Sequence, residues 1–193
     1  MQFTVRFHDH VITSINHIIQ SVGPPKVTIE IGCFEGETTF NLTHLLKAMN
    51  KDYKHYAIDP YAESADLPAE KIIEVKERFL NNLKEVMDGS VEFLHMPSFD
   101  GLIELYKRGV KADLVYVDGD HRAPGVLQDM VLGFELLNIG GVMLCDDAVC
   151  WRYKHNITDS PKMAIDNFIQ CNWNRLEVFE IPNGYQTAIR RKS

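Results

Sequence analysis

Short apolar segments alternate with amphipathic helical segments along almost the whole chain, and this alternation restricts the fold more than any other feature of the sequence. Strands are predicted at 26–31, 53–58, 91–94, 114–117 and 141–145, where β-branched and other apolar residues cluster. Helices are predicted between them, at 37–49, 68–87, 99–106 and 126–137, because apolar residues recur there at helical spacing. Apolar strands separated by helices form a parallel sheet that is covered on both faces, with right-handed connections. We therefore expect a doubly wound, Rossmann-like α/β fold.

The two ends of the chain depart from this alternation. A helix is predicted at 11–22, with Asp9 placed to cap it, and it is expected to pack on the core. After a last helix at 161–169, the segments 176–181 and 185–189 are typical of a hairpin, which places an antiparallel strand at that side of the sheet. The final Arg190, Arg191 and Lys192 are expected to form a short solvated tail. Residues 1–193 are interpreted as a single domain, with residues 1–24 as an N-terminal helical segment packed on it.

Charge and composition argue against several kinds of partner. The chain has 193 residues and a net charge of −7, whereas proteins that bind nucleic acid usually present a basic face. Its most apolar stretch, 139–145, is far shorter than the roughly 20 residues that cross a bilayer. The four cysteines form no C-x-x-C pair, and charged residues interrupt the N-terminus where a secretory signal would be apolar. We expect a cytoplasmic protein that binds neither nucleic acid nor membranes.

Carboxylates follow four of the five predicted parallel strands. The carboxyl ends of parallel strands meet at one edge of the sheet, where ligands of such folds collect. Acidic side chains crowded at one edge repel each other, so we expect a cationic ligand there. The acids concerned are Glu30 and Glu35 around the first strand end, Asp59 after the second, Asp118 and Asp120 after the fourth, and Asp146 and Asp147 after the fifth.

The loop after the first strand carries two glycines that permit a tight turn. Gly32 and Gly36 are separated by three residues, so the loop lacks the G-x-G-x-x-G pattern that cradles a pyrophosphate. Glu30 and Glu35 would repel a phosphate but attract an ammonium group. Asp59 follows the loop by roughly 20 residues, the spacing at which an acid accepts hydrogen bonds from ribose hydroxyls. A ligand with a cationic amino-acid end and an adenosine end fits this arrangement, and S-adenosylmethionine is such a molecule.

Four motifs in this order carry a resemblance to a known family. They are EIGCFEGETT at 30–39, AIDP at 57–60, LVYVDGDH at 114–121 and GGVMLCDD at 140–147. Together they make the chain, from about residue 26 to 149, resemble the class I S-adenosylmethionine-dependent methyltransferases. More narrowly, it is similar to the small metal-dependent O-methyltransferase-like group related to catechol O-methyltransferase. The resemblance implies a seven-stranded, mostly parallel sheet whose last strand is antiparallel, in agreement with the predicted hairpin.

The resemblance also implies roles for individual residues. Eight would bind the cofactor: Glu30, Gly32 and Phe34 in the glycine loop, Gly36 and Thr38 at the following helix, Asp59 at the ribose, Ser98 beside the adenine, and Asp118. Asp118, Asp146 and Asp147 would ligate a divalent metal, and His121 with Asp118 would be catalytic, His121 as the general base. This chain departs from the group at two positions. Asp147 replaces the usual amide ligand and makes the site more anionic, and His121 replaces a lysine.

These roles imply a reaction and leave alternatives open. Three carboxylates suit magnesium, or manganese or calcium. Such an ion would acidify a hydroxyl of a small acceptor, whose proton His121 would take before methyl transfer. One alternative is a metal-dependent nucleotide-sugar transferase that uses Asp118 and Asp120 as an Asp-x-Asp motif, and another is a non-catalytic S-adenosylmethionine-binding module. The aromatic and basic loop 151–155 is expected over the acceptor pocket, and a homodimer could supply a further wall.

Overall fold

The computed structural model describes residues 3–4, 8–64, 67–86, 88–148, 160–182 and 184–193. Six helices lie within these ranges: α1 His8–Val22, α2 Glu37–Met49, α3 Ile72–Leu83, α4 Ser98–Lys107, α5 Ala123–Leu136 and α6 Pro161–Asn172. Seven strands alternate with them: β1 Val27–Ile31, β2 Lys54–Ile58, β3 Val91–Leu94, β4 Ala112–Val117, β5 Leu137–Cys145, β6 Leu176–Phe179 and β7 Thr187–Arg191. Among these helices none is long and apolar enough to cross a membrane.

All seven strands form one sheet in the order β3-β2-β1-β4-β5-β7-β6. Strands β1 to β5 pair in parallel, and β7 runs antiparallel to both of its neighbours, β5 and β6. This confirms the predicted doubly wound, seven-stranded α/β fold with an antiparallel last strand. The strand order reverses between β1 and β4, and it is at such a switch point that open α/β sheets form their ligand crevice.

Side chains of the central strands alternate between two buried layers. On one face, Ile29 of β1 and Val115 of β4 belong to a core cluster that includes Phe134 of α5. On the other face, Leu114 and Val142 are in a cluster with Ile15 of α1 and with α2. Because both faces are covered, the central strands β1, β2, β4 and β5 bury most of their side chains.

The structure corrects three details of the sequence prediction. The helix predicted at 68–87 is a short 3₁₀ turn, Ala69–Lys71, followed by the shorter α3. Strand β5 begins at Leu137, directly after α5, because that end pairs with Ala112 across a register shift. The expected solvated basic tail is wrong for Arg191, which ends β7 and donates hydrogen bonds to the carbonyl oxygens of Phe134, Glu135 and Leu137.

Candidate active site

The glycine loop between β1 and α2 is held against the end of β4. Gly32 and Gly36 have φ angles of +86° and +81°, and Phe34 between them has φ +47°. A Cβ atom on Gly32 would lie 2.0 Å from the carbonyl oxygen of Asp118, so only glycine allows this approach. The loop is therefore placed directly beside the carboxylates that follow β4, at the switch point of the sheet.

Asp59, predicted to bind a ribose, holds the glycine loop through its side chain. Its Oδ2 accepts hydrogen bonds from the backbone N–H groups of Cys33 (2.8 Å) and Phe34 (3.2 Å), and its Oδ1 accepts one from Tyr61 (2.7 Å). Burial raises the pKa of Asp59, and these hydrogen bonds offset the rise only in part. A carboxylate has lone pairs beyond these three bonds, so the predicted ribose contact is compatible with this geometry and stays a prediction.

Glu30 is fully buried at the end of β1 and has one oxygen without a donor. Its Oε2 accepts hydrogen bonds from Thr39 Oγ1 (2.6 Å) and from His55 Nε2 (2.9 Å). Its Oε1 is buried and accepts no hydrogen bond from the described residues. A buried carboxylate oxygen without a donor is unfavourable, which points to a donor that arrives with a ligand. The neighbouring Thr38, the predicted cofactor contact, is half-buried in the first turn of α2.

Three potential metal ligands come together at the ends of β4 and β5. One ligand atom each from Asp118, His121 and Asp147 lies within 4.8 Å of the others. His121 Nε2 is 3.5 Å from Asp118 Oδ1 and 3.4 Å from Asp147 Oδ2. Asp147 reaches this position with a left-handed backbone, φ +55°, which turns its side chain away from the regular alternation of β5. These residues are called the Asp118–His121–Asp147 group below.

Asp146, predicted as a third metal ligand, accepts hydrogen bonds from residues outside the Asp118–His121–Asp147 group as well as from its neighbour in the chain. Tyr116 and Gln186 donate side-chain hydrogen bonds to its Oδ2, and the backbone N–H of Asp147 donates to its Oδ1. His10 of α1 approaches the same Oδ2 at 3.5 Å. Burial alone would raise the pKa of Asp146, but the hydrogen bonds from these partners outweigh burial and lower it. The structure thus places Asp146 beside the group rather than in it, and its role as a ligand stays a prediction.

The buried Tyr116 hydroxyl lies between two of these carboxylates. It donates to Asp146 and is 3.0 Å from Asp118 Oδ2. Burial, and next the negative charge of Asp146, raise the pKa of Asp118 above its usual value, while that of Asp146 is lowered. The two acids therefore titrate as a pair with separated pKa values, which is typical of functional sites.

Ser98, predicted beside the adenine, begins α4 and is half-buried. Its side chain is hydrogen-bonded to Asp129, a buried residue of α5. Burial raises the pKa of Asp129 to about 6. Sequence reasoning missed this acid because it lies on an otherwise ordinary amphipathic helix.

Further polar residues at the site were also missed. His55 and Tyr116 stand inside apolar strands, and that interruption was the only signal in the sequence. Gln186 and His10 carry no such signal, because only the tertiary fold brings them to Asp146.

Two other sequence predictions concern neighbouring segments. Asp120, the second acid of the Asp-x-Asp pattern, accepts a hydrogen bond from the backbone N–H of Arg122 at 3.1 Å and packs on Gly125 at the start of α5. It therefore contributes to the start of that helix and not to the Asp118–His121–Asp147 group. The loop 151–155, expected over the acceptor pocket, lies outside the described residues.

Comparison with solved structures finds the same fold in proteins of low sequence identity. The O-methyltransferase TomG of Streptomyces achromogenes, involved in tomaymycin synthesis and solved with S-adenosylmethionine, is 18% identical, with a TM-score of 0.70 over 98% of this chain and 82% of that chain. An O-methyltransferase from Bacillus cereus in complex with S-adenosylhomocysteine is 16% identical, with a TM-score of 0.68 over 97% of this chain and 82% of that chain. An rRNA methylase from Streptococcus thermophilus is 12% identical, with a TM-score of 0.64 over the full length of both chains. At these identities the likeness shows the fold alone.

Sequence comparison identifies the family. No curated protein matches the chain significantly by sequence. A family model described as a methyltransferase domain matches residues 29–148, which is more than half of the chain and contains the glycine loop, Asp59 and the Asp118–His121–Asp147 group. The chain therefore belongs to the methyltransferase-domain family, with the architecture of the class I S-adenosylmethionine-dependent enzymes, as its sequence motifs predicted.

Proposed function

We propose that the protein transfers a methyl group from S-adenosylmethionine to a hydroxyl oxygen of a small acceptor, assisted by a divalent cation. One observation carries this proposal: the Asp118–His121–Asp147 group lies directly beside the glycine loop at the switch point of the sheet. A donor site and a site for an acceptor hydroxyl are thus adjacent, as group transfer requires.

The donor would occupy the cleft above the glycine loop. Its ammonium group would donate a hydrogen bond to Glu30 Oε1, which accepts none from the described residues, and its ribose would share Asp59 with the loop. Phe34 is 41% exposed in the same loop and offers an apolar surface to the adenosine. TomG and the Bacillus cereus enzyme, which have this fold, were solved with S-adenosylmethionine and its demethylated product, and this supports the choice of donor.

The donor set of the Asp118–His121–Asp147 group fits a divalent cation. The carboxylates of Asp118 and Asp147 are oxygen ligands that suit magnesium or manganese, with calcium as a further oxygen-preferring ion, and His121 stays outside the ligand set as the proton acceptor. When bound, such an ion lowers the pKa of a hydroxyl that it contacts. Asp118 and Asp147 would hold it, while Asp146, tied to Tyr116 and Gln186, orients the loop that carries Asp147.

His121 would accept the proton that the acceptor hydroxyl loses. Its Nε2 lies between two carboxylate oxygens, at 3.5 and 3.4 Å, and these charges stabilise the imidazolium that forms. The acceptor oxygen then forms a bond to the methyl carbon as the carbon–sulfur bond breaks, and the sulfur keeps the electron pair. Alignment of these three atoms by the adjacent sites is expected to provide most of the acceleration.

Transfer of a radiolabelled methyl group tests this function. We expect label from S-adenosylmethionine to appear in a hydroxylated small molecule, to be lost with a chelator and to return with magnesium or manganese. Asp118→Asn should lower the rate on the order of 100-fold, because it removes a ligand and a charge from the centre of the site. Asp120→Asn is the matched control on the same loop and should retain activity.

Other results would contradict the proposal. Turnover of a nucleotide sugar that depends on Asp120 would favour the sugar-transferase alternative. Tight binding of S-adenosylmethionine without transfer to any acceptor in a broad panel would favour a binding module. Transfer that is unaffected by chelation would remove the role of the cation.

A further inference from the structure

A buried chain of polar side chains connects β1 and β2 beneath the glycine loop. His55 of β2 is fully buried, and its Nε2 lies 2.9 Å from Glu30 Oε2. Its Nδ1 lies 2.6 Å from Thr28 Oγ1, which is itself 2.6 Å from the Tyr53 hydroxyl. Neither the family match nor the proposed chemistry assigns any of these residues except Glu30.

The hydrogen-bond pattern fixes the orientation of the Glu30 carboxylate. If the Nε2 of His55 donates to Glu30, then its Nδ1 accepts a hydrogen bond from the Thr28 hydroxyl. Thr39 Oγ1 donates to the same Glu30 oxygen, at 2.6 Å. Two donors therefore hold Oε2, and only Oε1 is left for a ligand.

Core packing alone does not account for this pair. Replacing a buried polar pair by apolar residues of similar size is often neutral or stabilising. Burying the Glu30–His55 pair, with one carboxylate oxygen that accepts no hydrogen bond from the described residues, therefore costs more free energy than apolar packing would. The unsatisfied oxygen belongs to the residue nearest the glycine loop, and the satisfied polar groups lie behind it. The arrangement is that of a carboxylate held ready for a cationic partner.

We propose that His55 is a positioning residue for the amino-acid end of the methyl donor: it holds Glu30 so that Oε1 receives the α-ammonium group. This inference rests on the proposed function, because it takes S-adenosylmethionine as the donor. It predicts that His55 affects ligands that carry the ammonium group and leaves ligands that lack it unaffected.

Two ligands separate these cases in calorimetric titrations. S-adenosylhomocysteine has the amino-acid end, and 5′-methylthioadenosine lacks it. His55→Leu should raise the dissociation constant of S-adenosylhomocysteine by roughly tenfold or more, as expected for a hydrogen bond to a charged group. It should change the dissociation constant of 5′-methylthioadenosine by less than about twofold. His55→Gln, whose amide can donate to Glu30 and accept from Thr28, should restore most of the affinity. His44→Leu, on the exposed face of α2, is the matched control and should change neither ligand.

A measurement on the unmodified protein covers the case in which His55→Leu does not fold. The imidazole ¹⁵N signals of His55 should shift on saturation with S-adenosylhomocysteine and not with 5′-methylthioadenosine. The inference is overturned if these signals do not move at saturation, or if folded His55→Leu binds S-adenosylhomocysteine normally. It is also overturned if His55→Leu raises the dissociation constants of both ligands by the same factor. If the unmodified protein binds neither ligand, the proposed function itself fails, which is a distinguishable result.

Discussion

At the scale of single residues, two buried acids at the site each have one oxygen without a hydrogen-bond donor among the described residues. They are Glu30 at the end of β1 and Asp129 in α5. Glu30 immediately precedes the glycine loop in the chain, whereas the side chain of Asp129 is hydrogen-bonded to Ser98 at the start of α4. Folding buries both acids at a cost in free energy. Substitution of an acid that is retained for a ligand should therefore weaken ligand binding without lowering the stability of the fold.

The cost of Asp129 should appear in the pH dependence of stability. Burial raises its pKa from 3.8 to about 6, so between these values the folded state binds more protons than the unfolded state. Stability from this group therefore falls as the pH rises from about 4 to about 6, and stays low above that range. Asp129→Asn removes the charge, and the free energy of unfolding should rise by about 3 kcal/mol near pH 8 and be almost unchanged near pH 4.

Urea unfolding at several pH values measures this effect. Asp52→Asn, in the exposed turn after α2, is the control and should change stability by less than about 0.5 kcal/mol at any pH. A difference between Asp129→Asn and the parent protein that is the same at both ends of the pH range would show that burial of the charge is not the cause.

At the scale of elements, the contact between the glycine loop and the end of β4 defines the site. Gly32 and Gly23 both have left-handed backbones, with φ +86° and +90°. They differ in their surroundings: a Cβ on Gly32 would lie 2.0 Å from a backbone oxygen, whereas a Cβ on Gly23 would meet no atom within 4 Å. Comparing an alanine substitution at each of these two glycines therefore distinguishes the cost of backbone strain from the cost of a steric clash.

Gly23→Ala should cost about 1–2 kcal/mol from the left-handed backbone alone. Gly32→Ala should lower the free energy of unfolding by at least about 2 kcal/mol more than Gly23→Ala, because two backbone segments must move apart. It should also weaken the binding of S-adenosylhomocysteine. Urea unfolding of both variants, with calorimetric titration of those that fold, measures the difference. Equal losses of stability would mean that the loop relaxes freely and that the contact with Asp118 does not shape the site.

The same contact shows how far the sequence predicts the site. Acids after apolar strands predicted a cluster at one edge, because parallel strands end together, and the structure brings Asp118 and Asp147 together there. It does not bring in Glu35, which pairs with Arg78, or Asp120, which contributes to the start of α5. The sequence did not predict that Asp147 joins Asp118 and His121 while Asp146 turns away. That division depends on the left-handed backbone of Asp147 and on the buried Tyr116 hydroxyl. It also depends on Gln186, which reaches the site only because β7 inserts between β5 and β6.

At the scale of the whole molecule, the negative charge of the chain disfavours RNA as an acceptor. The net charge is −7, and the carboxylates at the ligand edge would repel phosphates there. The basic residues near the C-terminus are partly used within the fold: Arg175 and Arg191 both pair with Glu135. The rRNA methylase from Streptococcus thermophilus has the same architecture, so fold alone does not separate the two kinds of acceptor.

The charge predicts that ribosomal RNA is not a ligand. In filter binding at an ionic strength of about 0.15 M, where surface charges are screened beyond roughly 8 Å, we expect no retention of rRNA by micromolar protein loaded with S-adenosylhomocysteine. Non-specific binding grows as salt is lowered when a protein releases counterions from phosphates, and an acidic surface has few cations to do so.

The decisive measurement is therefore a salt titration: retention that increases steeply as salt falls would reveal a basic RNA-binding face and contradict the small-acceptor proposal. The opposite result is retention that stays at background at every salt concentration while label still passes to a small hydroxylated molecule. That result would mean that the charge at the sheet edge, and not the fold, determines which acceptor is used.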